Sequence, residues 1–233
     1  IDALCWRAVQ ERDYNLVPSM LEFFQKGIIF TDHHSVSEYT YPSFTSIETG
    51  MYPQDTQIYS EMTAQVLNQE YMTMSEQMKR LGYYCVNIMG AGEGVYNGSA
   101  RGYDRLITDA YTLSTCVGVE RTIHHLEAFQ ECDQFLLMHT MDAHPWAAHT
   151  FQLPLTTQTR FELPERSMKD EDKRTSVYLP NRPIYHHWNE QGIKDVDQAL
   201  KKLFDYLTTH YAEDEYIVQL YSDHGLPIYD EKN

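Results

Sequence analysis

Carboxylates and imidazoles follow three apolar runs of this 233-residue sequence, at the points where strands would end. Two of these runs are 135–138 and 216–221, and the first residues of the chain resemble the tail of a third strand. The side chains concerned are Asp2, His139, Asp142, His144, Asp223 and His224. Oxygen and nitrogen donors of this kind suit a divalent cation such as Zn, Mn or Mg. The pattern therefore predicts a metal site, provided that the three strand ends meet.

Each of these residues also has an ordinary structural interpretation. An Asp-His-Gly sequence such as 223–225 serves a turn or a helix cap equally well, and His139 could be a hydrogen-bonded core histidine. The doublets His33-His34, His124-His125 and His186-His187 have no ligand spacing around them, which favours surface or structural roles. Without further information, these residues indicate an α/β protein with a possible metal site.

A second candidate is the segment 37–53, SEYTYPSFTSIETGMYP, which is rich in hydroxyl side chains. It is either a polar loop or the place of a nucleophilic hydroxyl. An alcohol is a poor nucleophile at neutral pH unless a base or a metal activates it. We expect Pro42 and Gly50 to bracket the segment and a helix to start near Ser43, directing its backbone N–H groups at an anion.

The elements that must position these residues alternate between strand-like and helix-like patterns. Strands are predicted at 27–30, 83–90, 135–140 and 216–221, and helices at 73–81, 117–129 and 194–211. Alternating elements with near-continuous apolar strands predict an α/β fold with a mostly parallel sheet sandwiched by helices. In such folds, ligands bind beyond the carboxyl ends of the strands, where the candidate residues lie. The irregular stretch from about 141 to 190 is interpreted as a long excursion or lid.

The helix at 73–81 carries terminal signals of its own. Thr73 and Glu76 have the spacing of a capping box, in which each side chain bonds the backbone of the other, and Gly82 supplies the stop. The helix at 194–211 has the clearest apolar face, with leucine, valine and phenylalanine recurring at helical spacing.

The charge balance limits the partners. The formal net charge of −16 and the sequence pI of about 5.0 predict a surface that repels nucleic acid and anionic lipid. No apolar run approaches the roughly 20 residues of a membrane helix. A small anionic substrate would need a local counter-charge, for which a bound cation is the usual device.

The four cysteines, Cys5, Cys85, Cys116 and Cys132, form no CxxC pair, and we interpret them as buried thiols. The cysteines do not indicate a cellular compartment. The sequence does not indicate an oligomeric state. Both ends of the chain look cut, so residues 1–233 are interpreted as the N-terminal portion of a single catalytic domain.

Six motifs in order resemble the sulfatase branch of the alkaline-phosphatase superfamily. They are VPSMLEFFQKGIIF (17–30), YTYPSFTSIETGMYP (39–53), MSEQMKRLGYYC (74–85), RGYD (101–104), TMDAHPW (140–146) and SDHG (222–225). The second is similar to the nucleophile segment of sulfatases, and the last to their metal-binding Asp-His/Asn-Gly. The resemblance implies an alkaline-phosphatase/sulfatase-like fold and a metal-dependent ester hydrolase or transferase.

The resemblance also implies roles for individual residues. Asp2, Asp223 and His224 fall on metal-ligand positions, and Thr40 falls where sulfatases hold the residue that is oxidised to formylglycine. Thr40 is thereby expected to be both a metal ligand and the catalytic nucleophile. His144 is expected to contact the substrate anion or to protonate the leaving group, and we assign His139 and Ser43 to substrate binding. Ser43 is also the competing candidate for the nucleophile.

Two departures from the sulfatase pattern bear on the reaction. Threonine cannot become formylglycine, and Phe44 stands where the sulfatase signature has an arginine. A Thr-aromatic-Pro segment followed by Thr-Gly-x-Tyr-Pro is instead similar to nucleotide pyrophosphatase/phosphodiesterases, and phosphoglycerol transferases also use threonine. We therefore predict phosphoester chemistry through a covalent phosphothreonine. An authentic sulfuric ester hydrolase with a non-standard nucleophile, or an inactive sulfatase-like binding module, is the alternative.

The number of metal ions follows from one spacing. Two-metal members of the superfamily use an Asp-x-x-x-His ligand pair, whereas this chain has Asp142-Ala-His144-Pro, which is closer to the one-metal pattern. We predict one divalent ion per site (Mn, Mg, Zn or Ca), with a second ion as the alternative.

Overall fold

The computed structural model of the chain describes residues 1–60, 65–89, 94–108, 118–144 and 182–226. Seven α-helices and three strands lie in these ranges. The helices are α1 (Trp6–Glu11), α2 (Pro18–Phe23), α3 (Thr40–Thr49), α4 (Pro53–Thr56), α5 (Met74–Arg80), α6 (Gly118–Ala128) and α7 (Arg182–His210). The strands are β1 (Tyr84–Met89), β2 (Arg105–Ile107) and β3 (Gln134–His139).

The three strands form one parallel sheet in the order β2-β1-β3. The register pairs Met89 with His139 at the carboxyl ends of β1 and β3. Five consecutive residues of β1, from Cys85 to Met89, are buried, as expected for a strand with both faces covered. The predicted α/β fold with a parallel sheet flanked by helices is confirmed, and so are the strands at 83–90 and 135–140.

The first two residues of the chain lie between the segment that follows β3 and the segment 216–221. Asp2 N donates a hydrogen bond to Thr140 O at 2.8 Å, and the amino group of Ile1 donates to Tyr221 O at 2.8 Å. The ends of 135–140 and 216–221 thus meet across Ile1 and Asp2, as the candidate metal site requires.

Two predicted strands are absent from the described residues. The run 216–221 alternates between exposed and half-buried positions but pairs with none of the described strands, and Tyr221 O accepts its hydrogen bond from the amino group of Ile1. The GIIF run at 27–30 is also not a strand, and Ile28 and Phe30 are 81% and 78% exposed. A strand needs a neighbour for its backbone, and apolar composition does not supply one.

Helix α5 begins and ends as predicted. Glu76 N donates to Thr73 Oγ1 at 3.2 Å, and Thr73 N donates to Glu76 Oε2 at 2.9 Å, so the capping box is formed. Gly82 follows the helix with φ of 95°, a conformation that glycine adopts at little cost.

We expect Thr73→Ala to lower the free energy of unfolding by about 1–2 kcal/mol, because the variant loses the cap and the other hydrogen bonds of a buried hydroxyl. Besides capping α5, Thr73 Oγ1 donates to Arg101 O at 2.8 Å, and the residue is fully buried. Urea unfolding of the variant beside Thr73→Ser, which keeps the hydroxyl, checks this. Equal stability of Thr73→Ala and wild type would contradict it.

Helix α7 spans 29 residues and contributes more buried apolar side chains to the main hydrophobic cluster than any other described element. Its buried face includes Val196, Leu200, Leu203 and Phe204, and the ring of Phe204 stacks on Phe23 of α2 with centroids 4.1 Å apart. The helix begins at Arg182, so the irregular conformation predicted up to residue 190 is wrong for its last part, while 145–181 lie outside the described residues. No helix in the described ranges is long and apolar enough to cross a membrane.

The prediction of buried thiols is correct only for Cys85. Cys5 is half-buried and Cys132 is exposed, and all three are free thiols. Cys132 falls in the turn between α6 and β3, whereas Cys85 lies inside the sheet. Cys116 lies outside the described residues.

Candidate active site

Five side chains converge at the carboxyl end of the sheet, and all are at least 94% buried. They are Asp2, Thr40, His139, Asp223 and His224. Thr40 Oγ1 lies 3.4 Å from Asp2 Oδ2 and 3.2 Å from His224 Nε2. His224 Nε2 is in turn 3.3 Å from Asp2 Oδ1. The four residues to which the sequence assigned the metal therefore lie together, although they are up to 222 positions apart in the chain.

The backbone holds Asp223 so that one oxygen faces the site. Asp223 Oδ1 accepts hydrogen bonds from Ala3 N at 3.3 Å and from His224 N at 3.0 Å. Asp223 Oδ2 and Asp2 Oδ1 are buried and accept no hydrogen bond from the described residues. Two buried carboxylate oxygens without donors are costly unless a positive charge lies between them.

The tautomer of His224 is set by its neighbour. Its Nδ1 is 2.8 Å from the carbonyl oxygen of Gly225, and because a carbonyl can only accept, Nδ1 carries the proton. In the neutral ring, Nε2 then has a lone pair directed towards Thr40 and Asp2. This arrangement is typical of an imidazole that binds a metal or accepts a proton.

Thr40 is the first residue of α3, and Tyr39 is the N-cap. The prediction that the helix starts near Ser43 is therefore wrong by three residues. Tyr39 is extended, with φ −123° and ψ 146°, so the chain enters the helix directly at Thr40. This places the Thr40 hydroxyl at the positive end of the helix dipole, which favours an anion there.

Three other hydroxyls of this segment, those of Ser43, Thr45 and Thr49, have structural partners. Ser43 Oγ donates to Ser37 O at 3.3 Å, Thr45 Oγ1 donates to Tyr41 O at 2.7 Å, and Thr49 Oγ1 donates to Thr45 O at 2.7 Å. Thr40 is the hydroxyl of α3 that reaches the carboxylates.

His139 ends β3 and lies among the predicted metal ligands. Its Nε2 is 3.8 Å from Asp2 Oδ2 and 3.6 Å from Asp223 Oδ2. One ligand atom each from Asp2, His139 and Asp223 lies within 4.8 Å of the others, a group that could hold a metal ion. The predicted role of His139 was substrate binding. Its position as the last residue of a strand was the only signal for its place beside the carboxylates.

The two carboxylates perturb each other. Burial raises the pKa of Asp2 to about 7, and the negative charge of Asp223 adds to this. Burial alone would also raise the pKa of Asp223, but the imidazole of His139, 3.6 Å away, and the charge of His224 hold it below its ordinary value. One carboxylate is thus ionised at neutral pH while its neighbour holds its proton readily. A cation would favour ionisation of both.

His144 lies near this group, as sequence reasoning required. Burial lowers the pKa of His144 to about 3, and the positive charge of His224 contributes. A neutral imidazole at pH 7 can donate one N–H hydrogen bond but is a poor source of protons. Asp142, two residues earlier, is fully buried and accepts a hydrogen bond from Thr140 Oγ1.

Helix α7 supports the loops from which these residues project. Asn189 Nδ2 donates to Ala3 O at 3.3 Å and to Ala143 O at 2.5 Å. Gly192 lets the helix approach closely, because a Cβ there would lie 1.8 Å from Asp142 O. Ala3 itself has φ of 57°, which is strained for a residue with a side chain and directs its N–H at Asp223.

The residues present fit a divalent cation. Ligand atoms that surround a cation at about 2.0–2.5 Å are themselves roughly 3–4 Å apart. The contacts among the five side chains range from 3.2 to 3.8 Å. The set combines carboxylate, imidazole and hydroxyl donors, which Zn and Mn accept readily. Asp2 Oδ1 and Asp223 Oδ2, which accept no hydrogen bond here, are natural ligand atoms.

The class of protein that the sheet and the site define is an α/β protein with its candidate site at the carboxyl edge of a parallel sheet. The family itself follows from the sequence comparison. The Sulfatase family matches residues 8–233, and the chain belongs to that family.

Solved structures have the same fold. The phosphonate monoester hydrolase of Agrobacterium radiobacter superposes with a TM-score of 0.67 at 15% identity, over 100% of this chain and 63% of that chain. The C-terminal periplasmic domain of EptC from Escherichia coli, in complex with Zn, gives 0.58 at 15% identity, over 97% and 62%. An alkaline phosphatase superfamily protein from Vibrio parahaemolyticus gives 0.56 at 16% identity, over 89% and 48%.

These likenesses are structural. At identities of 12–19% they establish the fold alone, and the chain spans about half to three fifths of the length of the solved structures that it matches. No curated protein sequence is significantly similar to it.

Proposed function

We propose that this chain carries the active site of a metal-dependent phosphoester hydrolase or transferase in which Thr40 is the nucleophile. The observation that carries the proposal is the position of Thr40 Oγ1, 3.4 Å from Asp2 Oδ2 and 3.2 Å from His224 Nε2. A buried hydroxyl at the start of a helix, between a carboxylate and an imidazole, can be deprotonated and can then attack an anion held at the helix terminus.

Asp2, Asp223 and His224 would hold the cation together with Thr40, and His139 is within reach of the same point. A divalent cation bound there would lower the pKa of the Thr40 hydroxyl and offset the negative charges of the substrate and the carboxylates.

The residues of the site can carry out both the proton transfer and the displacement at phosphorus. Thr40 Oγ1 passes its proton to Asp2 Oδ2, 3.4 Å away, and forms a bond to phosphorus, while the bond from phosphorus to the leaving oxygen breaks. His144 would stabilise that oxygen through its N–H, and Ser43 would contribute to holding the substrate. Water or an acceptor alcohol then attacks the phosphothreonine and restores the Thr40 hydroxyl.

Phosphorus is favoured over sulfur by the nucleophile itself. Threonine cannot be oxidised to the formylglycine on which the sulfatase signature depends, and Phe44 occupies the arginine position of that signature. The phenyl ring of Phe44 is buried and packs edge-on against His139, with centroids 6.1 Å apart. Phe44 therefore contributes apolar packing at a position where an arginine would contribute a positive charge.

The test is a panel of esters that share one leaving group, p-nitrophenol. A phosphomonoester, a phosphodiester, a phosphonate monoester and a sulfate ester are offered to the 233-residue chain, loaded in turn with Zn, Mn, Mg and Ca. We expect at least one phosphorus ester to be turned over about tenfold or more faster than the sulfate ester. The rate should fall to background when the metal is chelated and should return when it is restored.

Two outcomes would contradict the proposal. Preference for the sulfate ester would identify a sulfuric ester hydrolase with a non-standard nucleophile. Binding of stoichiometric metal without turnover of any ester would indicate a sulfatase-like binding module.

A further inference from the structure

A buried carboxylate on the nucleophile helix has partners outside the site described above. Glu48 lies in α3 and is 1% exposed. Its Oε1 accepts a hydrogen bond from the Tyr103 hydroxyl at 2.5 Å, and its Oε2 accepts from Ser75 N at 3.5 Å. Glu48 Oε2 also lies 3.3 Å from Ser75 Oγ, whose single proton has a second acceptor in Arg101 O at 2.5 Å. Ser75 is the second residue of α5, so Glu48 joins the end of α3 to the start of α5.

This link lies on the same side of α3 as the nucleophile. Successive residues of a helix turn by about 100°, so positions 40, 44 and 48 fall within about 80° of one another. Phe44, between the two, packs against Met89, Leu137 and His139 at the carboxyl edge of the sheet. The face that carries Thr40 is therefore held in the middle by Phe44 and at its far end by Glu48.

Burying the carboxylate of Glu48 at this position costs free energy. Burial raises the pKa of Glu48 to about 7, while the hydrogen bonds from Tyr103 and Ser75 lower it. The pKa of Tyr103 is raised by burial and by the charge of Glu48, so its hydroxyl stays protonated and remains a donor. The other titratable groups that interact with Glu48 are Glu76, Cys85 and Tyr221. An apolar side chain would avoid this cost, but it could not bond two neighbouring segments.

We propose that Glu48 is a positioning residue, which sets the orientation of α3 through Tyr103 and Ser75 and thereby places the Thr40 hydroxyl against Asp2 and His224. The proposal rests on the proposed function of Thr40 for its effect on the reaction, but the link itself is a property of the fold.

The reaction rate depends strongly on the exact position of the Thr40 hydroxyl, so a link that orients α3 can affect the rate. A side-chain atom about 5 Å from a helix axis moves by about 0.9 Å when the helix rolls by about 10°. A displacement of about 1 Å at a reacting group can reduce the rate about 100-fold. Releasing one end of α3 can therefore slow the reaction without removing any group that touches the substrate.

The experiment compares Glu48→Leu, which breaks the link, with Glu48→Gln, which keeps an acceptor for Tyr103 without the charge. With the metal-loaded chain and its best ester, we expect Glu48→Leu to lower kcat about 10-fold to 100-fold with KM changed less than about threefold. Glu48→Gln should recover most of that loss, and Tyr103→Phe should fall between the two.

Thr45→Val is the matched control, because Thr45 is fully buried in the same helix and is hydrogen-bonded to Tyr41 and Asn97. It removes buried hydrogen bonds from α3 without touching the link to α5. We expect its stability to fall while its kcat changes little. If Thr45→Val and Glu48→Leu lose kcat in the same proportion to their loss of stability, Glu48 is merely structural.

Two readouts need no substrate. Hydrogen exchange of the hydrogen-bonded amides of α3, from Ser43 onwards, should be faster in Glu48→Leu than in Glu48→Gln or Thr45→Val. The pKa of Glu48 is raised from 4.5 to about 7, so the stability from its protonated form is fully present below pH 4.5 and is lost as pH rises towards 7. The wild-type urea midpoint, relative to that of Glu48→Gln, should therefore decrease across this range.

These readouts separate the two proposals. If no ester is turned over but exchange of the α3 amides responds to Glu48→Leu alone, the proposed function fails and the link stands. If turnover depends on Thr40 while Glu48→Leu equals wild type in kcat and in exchange, the positioning role is overturned.

Discussion

Replacing Thr40 by alanine is expected to lower kcat/KM by about 10³-fold or more, because the variant loses the atom that bonds to phosphorus. Metal binding should weaken only modestly, since Asp2, Asp223 and His224 remain. The fold should be preserved, because the contacts of the Thr40 hydroxyl with Asp2 and His224 lie within the site. Initial rates with the preferred ester, beside metal content and urea unfolding, check all three expectations.

Two variants of the same helix complete this experiment. Thr49→Ala removes a hydroxyl that bonds only within α3 and the turn after it, and it should keep near wild-type activity. Ser43→Ala tests the competing nucleophile, and brief reaction with substrate followed by mass spectrometry should still show the phosphoryl adduct on Thr40. An adduct on Ser43, or full activity in Thr40→Ala, would show that the nucleophile is misassigned.

Asp223→Asn is expected to weaken metal binding by at least about 100-fold and to abolish metal-dependent turnover. The amide can still accept the two backbone hydrogen bonds made to Oδ1, so the loop should keep its shape. What changes is Oδ2, the buried oxygen that accepts no hydrogen bond from the described residues and faces His139 and His224.

The measurement combines calorimetric titration with thermal unfolding. A metal at 100 times its dissociation constant stabilises the folded protein by about 2.7 kcal/mol, and Asp223→Asn should not show this gain. Asp205→Asn is the control, because it removes the same charge from an exposed position paired with Lys201 and should bind metal normally. An unchanged metal affinity in Asp223→Asn would exclude Asp223 as a ligand.

Local sequence signals predicted the elements whose start and end are set by residues within or next to the element. Helix α5 has its capping box and its stop at Gly82, and β1 is an apolar run flanked by polar turns. Both were predicted to within one or two residues, because the interactions that start and end them join residues close in the chain. Segment 27–30 lacked such support, and its apolar residues proved to be exposed.

The start of α3 and the full length of α7 were missed for related reasons. Sequence reasoning took Ser43 as the natural cap, but the extended backbone of Tyr39 begins the helix directly at Thr40. For α7, the first turns contain histidines, a tryptophan and an asparagine, which weaken the helical pattern. The tertiary contact of Gly192 with Asp142 shows that packing against the site loops also holds this part of the helix.

The sequence by itself determined the fold class and which residues would gather at the carboxyl edge of the sheet, because strand ends and motif order are readable along the chain. Only the tertiary structure decided how they meet: that His139 joins Asp2 and Asp223, that Gly225 sets the tautomer of His224, and that Glu48 joins α3 to α5. Atom-to-atom distances between residues about 40 to 220 positions apart depend on how helices and sheet pack. That packing comes from many weak contacts, none of which leaves a local pattern in the sequence.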